Sequence, residues 1–174
     1  MSEKKKYYIG IDLGGTFIKG GIVSENGEIV VEDKVPTESD KGGEKVMDNV
    51  AALIKKLFFK SSLKKEETVG IGMGVPGMID SKNGIVVFSN NLRWHHLHIS
   101  EGVEKRTGLK VRIANDANVA ALGEAVYGAG RDVDDSILLT LGTGVGGGII
   151  VGNRLVEGNK SAGAELGHMV IAHG

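Results

Sequence analysis

The run Ile9-Gly10-Ile11-Asp12-Leu13-Gly14-Gly15-Thr16-Phe17-Ile18-Lys19 decides how the chain is read. An apolar stretch from Tyr7 to Asp12 breaks at Leu13-Gly14-Gly15-Thr16, and apolar residues resume from Phe17 to Val23. Two short apolar runs around a glycine pair predict a tight hairpin. A second turn, Ser24-Glu25-Asn26-Gly27, leads into an alternating run from Glu28 to Val35, so the chain is predicted to begin as three antiparallel strands. Paired glycines let backbone N–H groups point at anionic oxygens, and Thr16 adds a hydroxyl donor. Asp12 beside such a turn would repel phosphate unless a cation bridged them, as Mg2+ does at nucleotide sites. Lys19 follows three positions beyond the turn. The plainer alternative is an ordinary Gly-Gly hairpin with an incidental carboxylate.

Outward from that hairpin the pattern alternates between helix and strand. Gly42-Gly43 opens a helical segment with Val46, Val50, Leu53, Ile54, Leu57 and Phe58 on one face. Thr68 to Val75 reads as a strand broken by Pro76-Gly77, and Gly84 to Phe88 as another short strand. Ser100 is placed as the N-cap of a short helix closed by Gly108. Val111 to Ala114 reads as a strand running into a helix near Asn115, with Val119, Leu122 and Val126 spaced for burial and Gly128 near its end. The charged connector Arg131–Asp135 is read as the domain boundary, giving a lobe over 1–130 and the start of a second over 131–174. Ser136–Leu141 and Gly147–Val151 then form two strands around a glycine-rich turn, a weak echo of the opening hairpin. This last section has too few elements to bury its own apolar residues. It is therefore expected to be the first part of a lobe whose remainder lies outside the chain.

Composition narrows the function classes. The 174 residues carry a net charge of −1 and a pI near 6.5, so neither nucleic acid nor an anionic membrane surface gains support as a partner. Lys4-Lys5-Lys6 is the one basic cluster, and it reads as a solvated terminus. No run approaches the roughly 20 apolar residues of a membrane span, and the charged start Met1–Tyr8 has no secretory apolar core. With no cysteine there is neither a disulfide framework nor a thiolate metal site, and a cytoplasmic location is the default. Glycine is the unusual component, at 28 residues against a usual ~7%, and it concentrates at turns where backbone meets a ligand or another backbone.

Four further constellations carry possible chemistry. Gly142-Thr143-Gly144-Val145-Gly146-Gly147-Gly148 contains the spacing of a dinucleotide fingerprint, but Ile149-Ile150-Val151 continues as a strand where that fingerprint needs a helix. A second phosphate-gripping hairpin fits better. Asn115-Asp116-Ala117-Asn118 lies at a strand-to-helix junction, where a carboxylate is ordinarily a capping or first-turn residue. Asn115 can cap while Asp116 faces a cleft and accepts the proton of an alcohol undergoing phosphoryl transfer. Gly74-Val75-Pro76-Gly77 and Glu165-Leu166-Gly167-His168 supply a turn and two polar side chains of the kinds that bind a polyol, against readings as a simple turn and a solvated helix start. His95, His96 and His98 beside Trp94 lack a second ligand group of defined spacing, so a surface loop is preferred to a metal site, with Trp94 as a packing anchor.

Taken in order, Asp-x-Gly-Gly-Thr, Gly-x-Pro-Gly, Asn-Leu-x-Trp, Asn-Asp-Ala-Asn, Gly-Thr-Gly-x-Gly-Gly-Gly and Glu-x-Gly-His resemble the ROK family of bacterial sugar kinases and repressors from Ile9 to His168. Asn91-Leu92-Arg93-Trp94 in particular is similar to the glucokinases of that family. The resemblance implies an α/β fold of the actin/hexokinase, ribonuclease H-like type: a first lobe with a mixed sheet, then the first strands of a truncated second lobe. It implies ATP-dependent phosphorylation of a hexose, glucose above others, with Asp116 as general base. Asp12, Gly14, Gly15, Thr16 and Lys19, with Gly142, Thr143, Gly144 and Gly146, would form the two phosphate hairpins, and Asp12 would hold Mg2+ through water. Gly77, Asn91, Asn115, Asp116, Glu165 and His168 would contact the sugar. A homodimer is common in the family.

Two departures qualify what the resemblance implies. Family kinases carry a cysteine-rich zinc segment after the Glu-x-Gly-His histidine, itself a zinc ligand, so His168 is a zinc ligand whose partners this chain lacks. Zn2+ is thus expected only in a longer protein. The helices that cover adenine are also expected beyond Gly174, so the 174-residue chain is expected to bind ATP and phosphorylate sugar weakly. The rivals are a repressor, which would carry a DNA-binding segment ahead of Ile9, and a non-catalytic sugar-binding or assembly half-domain.

Overall fold

The computed structural model describes residues 5–142, 144–158 and 163–170. The chain divides into two compact units, Met1–Ala114 and Asn115–Gly174.

The first unit opens as the sequence predicts, with β1 (Tyr7–Leu13), β2 (Phe17–Ser24) and β3 (Ile29–Pro36) joined as antiparallel neighbours. Helix α1 (Gly43–Ser61) leads to β4 (Thr68–Val75), which pairs parallel to β1. A small antiparallel sheet follows, of β5 (Met78–Asp80), β6 (Ile85–Ser89) and β7 (Trp94–Leu97). Helix α2 (Ile99–Thr107) then returns the chain to β8 (Val111–Asn115), giving a five-stranded mixed sheet in the order β3-β2-β1-β4-β8.

Strand alternation selects the covered face. Ile9, Ile11 and Leu13 of β1 are buried with Ile71 and Met73 of β4, under Val46, Val50, Leu53, Ile54 and Leu57 of α1. The predicted helical face is thus the one that packs, with Phe58 half-buried at its edge. Each fully buried Leu or Ile here contributes about 1.5–3 kcal/mol. Arg106 of α2 ties the two helices together, donating to Asp48 Oδ1 at 2.7 Å and Glu44 Oε2 at 2.6 Å.

Two local expectations are corrected. The residue before α2 is His98, whose carbonyl accepts the Gly102 N–H; Ser100 is already helical and buried, its N–H held by Gly84 O at 3.2 Å. That bond to the β5–β6 turn fixes the cap two residues ahead of the polar residue a local reading selects. His95 and His96 lie in strand β7 rather than in a loop, because β7 pairs along β6, with Phe88 opposite His95. Trp94 is a packing anchor, buried in the core.

The second unit contains α3 (Asp116–Tyr127), β9 (Ser136–Leu141), β10 (Val145–Val151) and β11 (Arg154–Leu155), followed by a short 3-10 helix at Leu166–His168. Its sheet is antiparallel in the order β11-β10-β9. Helix α3 packs through Ala117, Asn118 and Ala121, not through Val119, Leu122 and Val126, which are exposed. The cause lies on β10: side chains at Gly146 and Gly148 would run into Ala117 and Ala121, so small residues face glycine at close approach. Helix α3 therefore belongs with the second sheet, and the division falls at Ala114/Asn115 rather than at the 131–135 connector. That connector is itself fastened to the β10–β11 turn. Asp135 Oδ1 accepts the Gly152 N–H at 2.7 Å, and Asp134 O accepts the Asn153 N–H at 2.8 Å. On the face of β9 and β10 turned from α3, Ile137, Leu139, Leu141 and Val145 are 67, 56, 82 and 52% exposed. Among the described residues no helix is long and apolar enough to cross a membrane.

Candidate active site

In the first unit the glycine turn between β1 and β2 is closed by the Gly14 N–H, which donates to Phe17 O at 3.1 Å. A Cβ on Gly14 would lie 2.8 Å from that oxygen, so the tightness of the turn requires glycine. Gly15 differs: an added Cβ would meet nothing within 4 Å, and the N–H groups of Gly15 and Thr16 make no hydrogen bond among the described residues. Both residues are exposed. The turn thus presents backbone donors to an open side, which is what an anion needs. Asp12 and Lys19 sit opposite one another across the β1–β2 ladder, Oδ2 to Nζ 3.8 Å, both well exposed. Such a pair contributes little to stability. The exposed Asp12 carboxylate is a hard-oxygen donor, the chemistry that suits Mg2+.

Behind this turn stand residues that sequence reasoning passed over. Thr37, fully buried just after β3, donates its hydroxyl to Gly14 O at 2.7 Å and its N–H to Thr16 O at 2.9 Å. Asn49 of α1 donates to Pro36 O, Thr37 O and Glu38 Oε2 at 3.2, 3.3 and 3.0 Å. Glu38 adopts a left-handed φ of 56° and gathers Lys41, Asn49 and Lys45. Lys41 first, then Asn49 and Lys45, hold its carboxyl down to about 2 from an ordinary 4.5. A conspicuous Pro36-Thr37 after a strand was the available signal.

Gly77 and Asn91 belong to the small sheet of the same unit. Gly77 has φ 115°, and a side chain there would strike Phe88 O and Ser89, so the β4–β5 turn and β6 are in contact through it. Asn91 is exposed in the β6–β7 turn, where the Arg93 N–H donates to Asn90 O. Arg93 and His96 nearby have φ values of 56° and 49°, a conformation that costs non-glycine residues energy.

In the second unit Asn115 caps α3, its Oδ1 accepting the N–H groups of Ala117 at 3.0 Å and Asn118 at 3.2 Å. Asp116 is exposed in the first turn, with Oδ1 also accepting the Ala117 N–H at 3.0 Å. Capping and an outward carboxylate therefore coexist. The second glycine hairpin is closed by the Gly142 N–H donating to Gly144 O at 3.0 Å. Gly142 and Gly144 have open space around them, whereas Gly146 is required by packing, a Cβ there lying 3.3 Å from Ala117 Cβ and 2.6 Å from Thr140 Oγ1. Thr143 lies outside the described residues. The first turn of α3, with Asp116, is thereby seated on this hairpin.

Glu165 and His168 are exposed, with Oε2 and Nε2 3.8 Å apart. Leu166 packs against Gly147, on the opposite side of β10 from Gly146 and Gly148, so these two side chains and Asp116 stem from different faces of that strand. Among the described residues no three His, Asp or Glu side chains cluster to hold a metal, and the chain has no cysteine. Among the described residues His168 has only the Glu165 carboxylate beside it, and no zinc site is assembled there.

The family model of the ROK family matches residues 8–173, and the chain belongs to that family. The chain is 44% identical over 164 residues to a glucokinase of Thermotoga maritima, covering 94% of this chain and 50% of that protein. To a glucokinase of Halalkalibacterium halodurans it is 37% identical over 171 residues, 98% of this chain and 51% of the relative. The crystal structure of a ROK family glucokinase from Streptomyces griseus in complex with glucose and AMPPNP superposes with a TM-score of 0.85 at 40% identity, covering 95% of this chain and 51% of that one. The mixed sheet with its helices matches that structure. The chain spans about half the length of the curated relatives it matches.

Proposed function

The chain being a ROK-family protein, we propose that it supplies the sugar- and phosphate-binding half of a hexose kinase that transfers the γ-phosphoryl group of ATP to glucose. The observation that carries this reading is the seating of α3 on the second glycine hairpin. It sets the first turn of α3, which carries the outward Asp116, against Gly146 at the start of β10, the strand that follows a turn whose Gly142 and Gly144 leave room for a ligand. The glucokinase relatives, and the glucose and AMPPNP bound by the S. griseus protein, support the substrate pair.

Phosphoryl transfer asks a protein for position, charge compensation and a place for one proton. The sugar 6-hydroxyl oxygen bonds to the γ-phosphorus, the bond from that phosphorus to the ADP oxygen breaks, and the hydroxyl proton passes to Asp116. The Asn115 cap holds the first turn of α3, and so the Asp116 backbone, in a fixed place. The two glycine turns offer N–H groups to phosphate oxygens, with Gly146 serving the packing of α3. Mg2+, held by Asp12 and the phosphates, would offset the charge. Gly77, Asn91, Asn115, Glu165 and His168 are proposed for the sugar hydroxyls.

The test is ATP-dependent phosphorylation of glucose by a protein extended to the length of its glucokinase relatives, and by the Asp116→Asn variant of that protein. Loss of a general base lowers kcat by about 10²–10⁴-fold with the glucose KM little changed. An unimpaired variant overturns the assignment of Asp116. A wild-type protein that binds glucose but never phosphorylates it overturns the kinase in favour of a sugar-binding regulator.

A further inference from the structure

We propose that Thr37 is a positioning residue that aims the first glycine turn at phosphate, an inference that rests on reading Asp12–Thr16 as a phosphate-binding turn. Thr37 clasps both ends of the turn. Its hydroxyl takes the Gly14 carbonyl at 2.7 Å and its N–H takes the Thr16 carbonyl at 2.9 Å. In a trans peptide the C=O of one residue and the N–H of the next point in opposite directions. Drawing the Gly14 carbonyl inward to Thr37 therefore turns the Gly15 N–H outward. That donor is one of the two, with the Thr16 N–H, left without a hydrogen bond among the described residues, at an exposed glycine where an added Cβ would meet nothing within 4 Å.

A Gly-Gly peptide is weakly constrained by itself, because glycine has the most backbone freedom to lose. Left alone, the Gly14–Gly15 plane would rotate among orientations, and only a fraction would present the donor. The Thr37 hydroxyl removes those alternatives before any ligand arrives, which is preorganisation in the sense that raises affinity. Thr37 is anchored in turn. Asn49 grips its carbonyl from α1, one residue before the fully buried Val50, so the orientation of the turn is referred to the core of the first unit. A threonine that merely satisfied its own hydroxyl would need one acceptor anywhere nearby. Two bonds to the two ends of one functional turn are a more specific arrangement.

The probe is inorganic tripolyphosphate, followed by MgATP, titrated into 15N-labelled wild type, Thr37→Ser and Thr37→Val while the Gly15 and Thr16 amide signals are followed. Wild type and T37S are expected to respond alike. T37V is expected to need about tenfold more tripolyphosphate, the effect of losing one hydrogen bond, with glucose affinity unchanged. In turnover the same variant is expected to raise the KM for ATP and not that for glucose. T37V titrating like wild type overturns the inference alone, as does T37S failing as fully as T37V, which would make the role one of packing. A wild-type Gly15 amide that ignores tripolyphosphate overturns the phosphate reading and the inference together. Should T37V not fold, Asn49→Ala leaves the hydroxyl in place but loosens its anchor. A two- to fivefold weakening at Gly15 supports the proposal, and none overturns it.

Discussion

Replacing Asn115 with alanine removes the side-chain oxygen that accepts two N–H groups at the start of α3, from Ala117 at 3.0 Å and Asn118 at 3.2 Å. Loss of such a cap costs about 0.5–2 kcal/mol. Part of that cost is spared here, because Asp116 Oδ1 also accepts the Ala117 N–H at 3.0 Å and remains after the substitution. One donor, that of Asn118, is orphaned rather than two, so the expected loss is about 1 kcal/mol, or roughly a fivefold change in a local opening equilibrium. Native-state hydrogen exchange reads this residue by residue. The Asn118 amide is expected to lose about fivefold in protection while the Ala117 amide keeps most of its own. Equal losses at both amides would mean that Asp116 does not share the cap, and no loss at either would refute the capping geometry. The double substitution with Asp116→Ala should then expose Ala117 as well.

Gly148→Ala should destabilise the second unit by about 1–3 kcal/mol through overpacking against Ala117 and Ala121, whereas Gly142→Ala, with nothing in reach of its Cβ, should leave stability alone and alter nucleotide binding; thermal unfolding of the pair checks the contrast. Acid should weaken the first unit. Glu38 is held down to about 2, by Lys41 above all, and Asp33 well below its ordinary 3.8, by Lys60 and then Lys56. A depressed carboxylate contributes stability above its unfolded pKa and loses it as pH falls through the folded one. Unfolding midpoints measured from pH 6 downward should therefore begin to drop near 4.5 and keep dropping toward 2. Glu38→Gln should flatten that fall, and an unchanged acid slope would refute the account.

Where the sequence was legible, the reason is periodicity. The β1–β2 hairpin, the buried face of α1 and the Gly108 stop of α2 follow from local rules that the tertiary structure leaves intact. In α3 the same rule found the helix but chose the wrong face. Val119, Leu122 and Val126 have the right spacing, but the glycines of β10 bring its backbone so close that only Ala117 and Ala121 fit beneath the helix. That preference is written 25 or more residues away and has no local trace. Pro36-Thr37 marked a strand end, but the role of Thr37 had no local trace for the same reason, since its hydroxyl acts 23 positions back along the chain. The motif residues themselves, Asp12 to Thr16 and Asn115-Asp116, were legible because backbone geometry at a turn and a helix start restricts which side chains serve there.

The exposed apolar side chains on the outer face of β9 and β10 have a practical consequence for handling the protein. Among the described residues strand β9 ends its sheet, so a row of backbone groups on its outer edge adjoins Ile137, Leu139 and Leu141. An apolar edge strand is a template for adding another strand, from any chain that offers one. Solutions of the chain should accordingly bind hydrophobic dyes and associate with rising concentration. A single lysine at position 139, on the exposed face, should suppress both while leaving the glycine turns untouched.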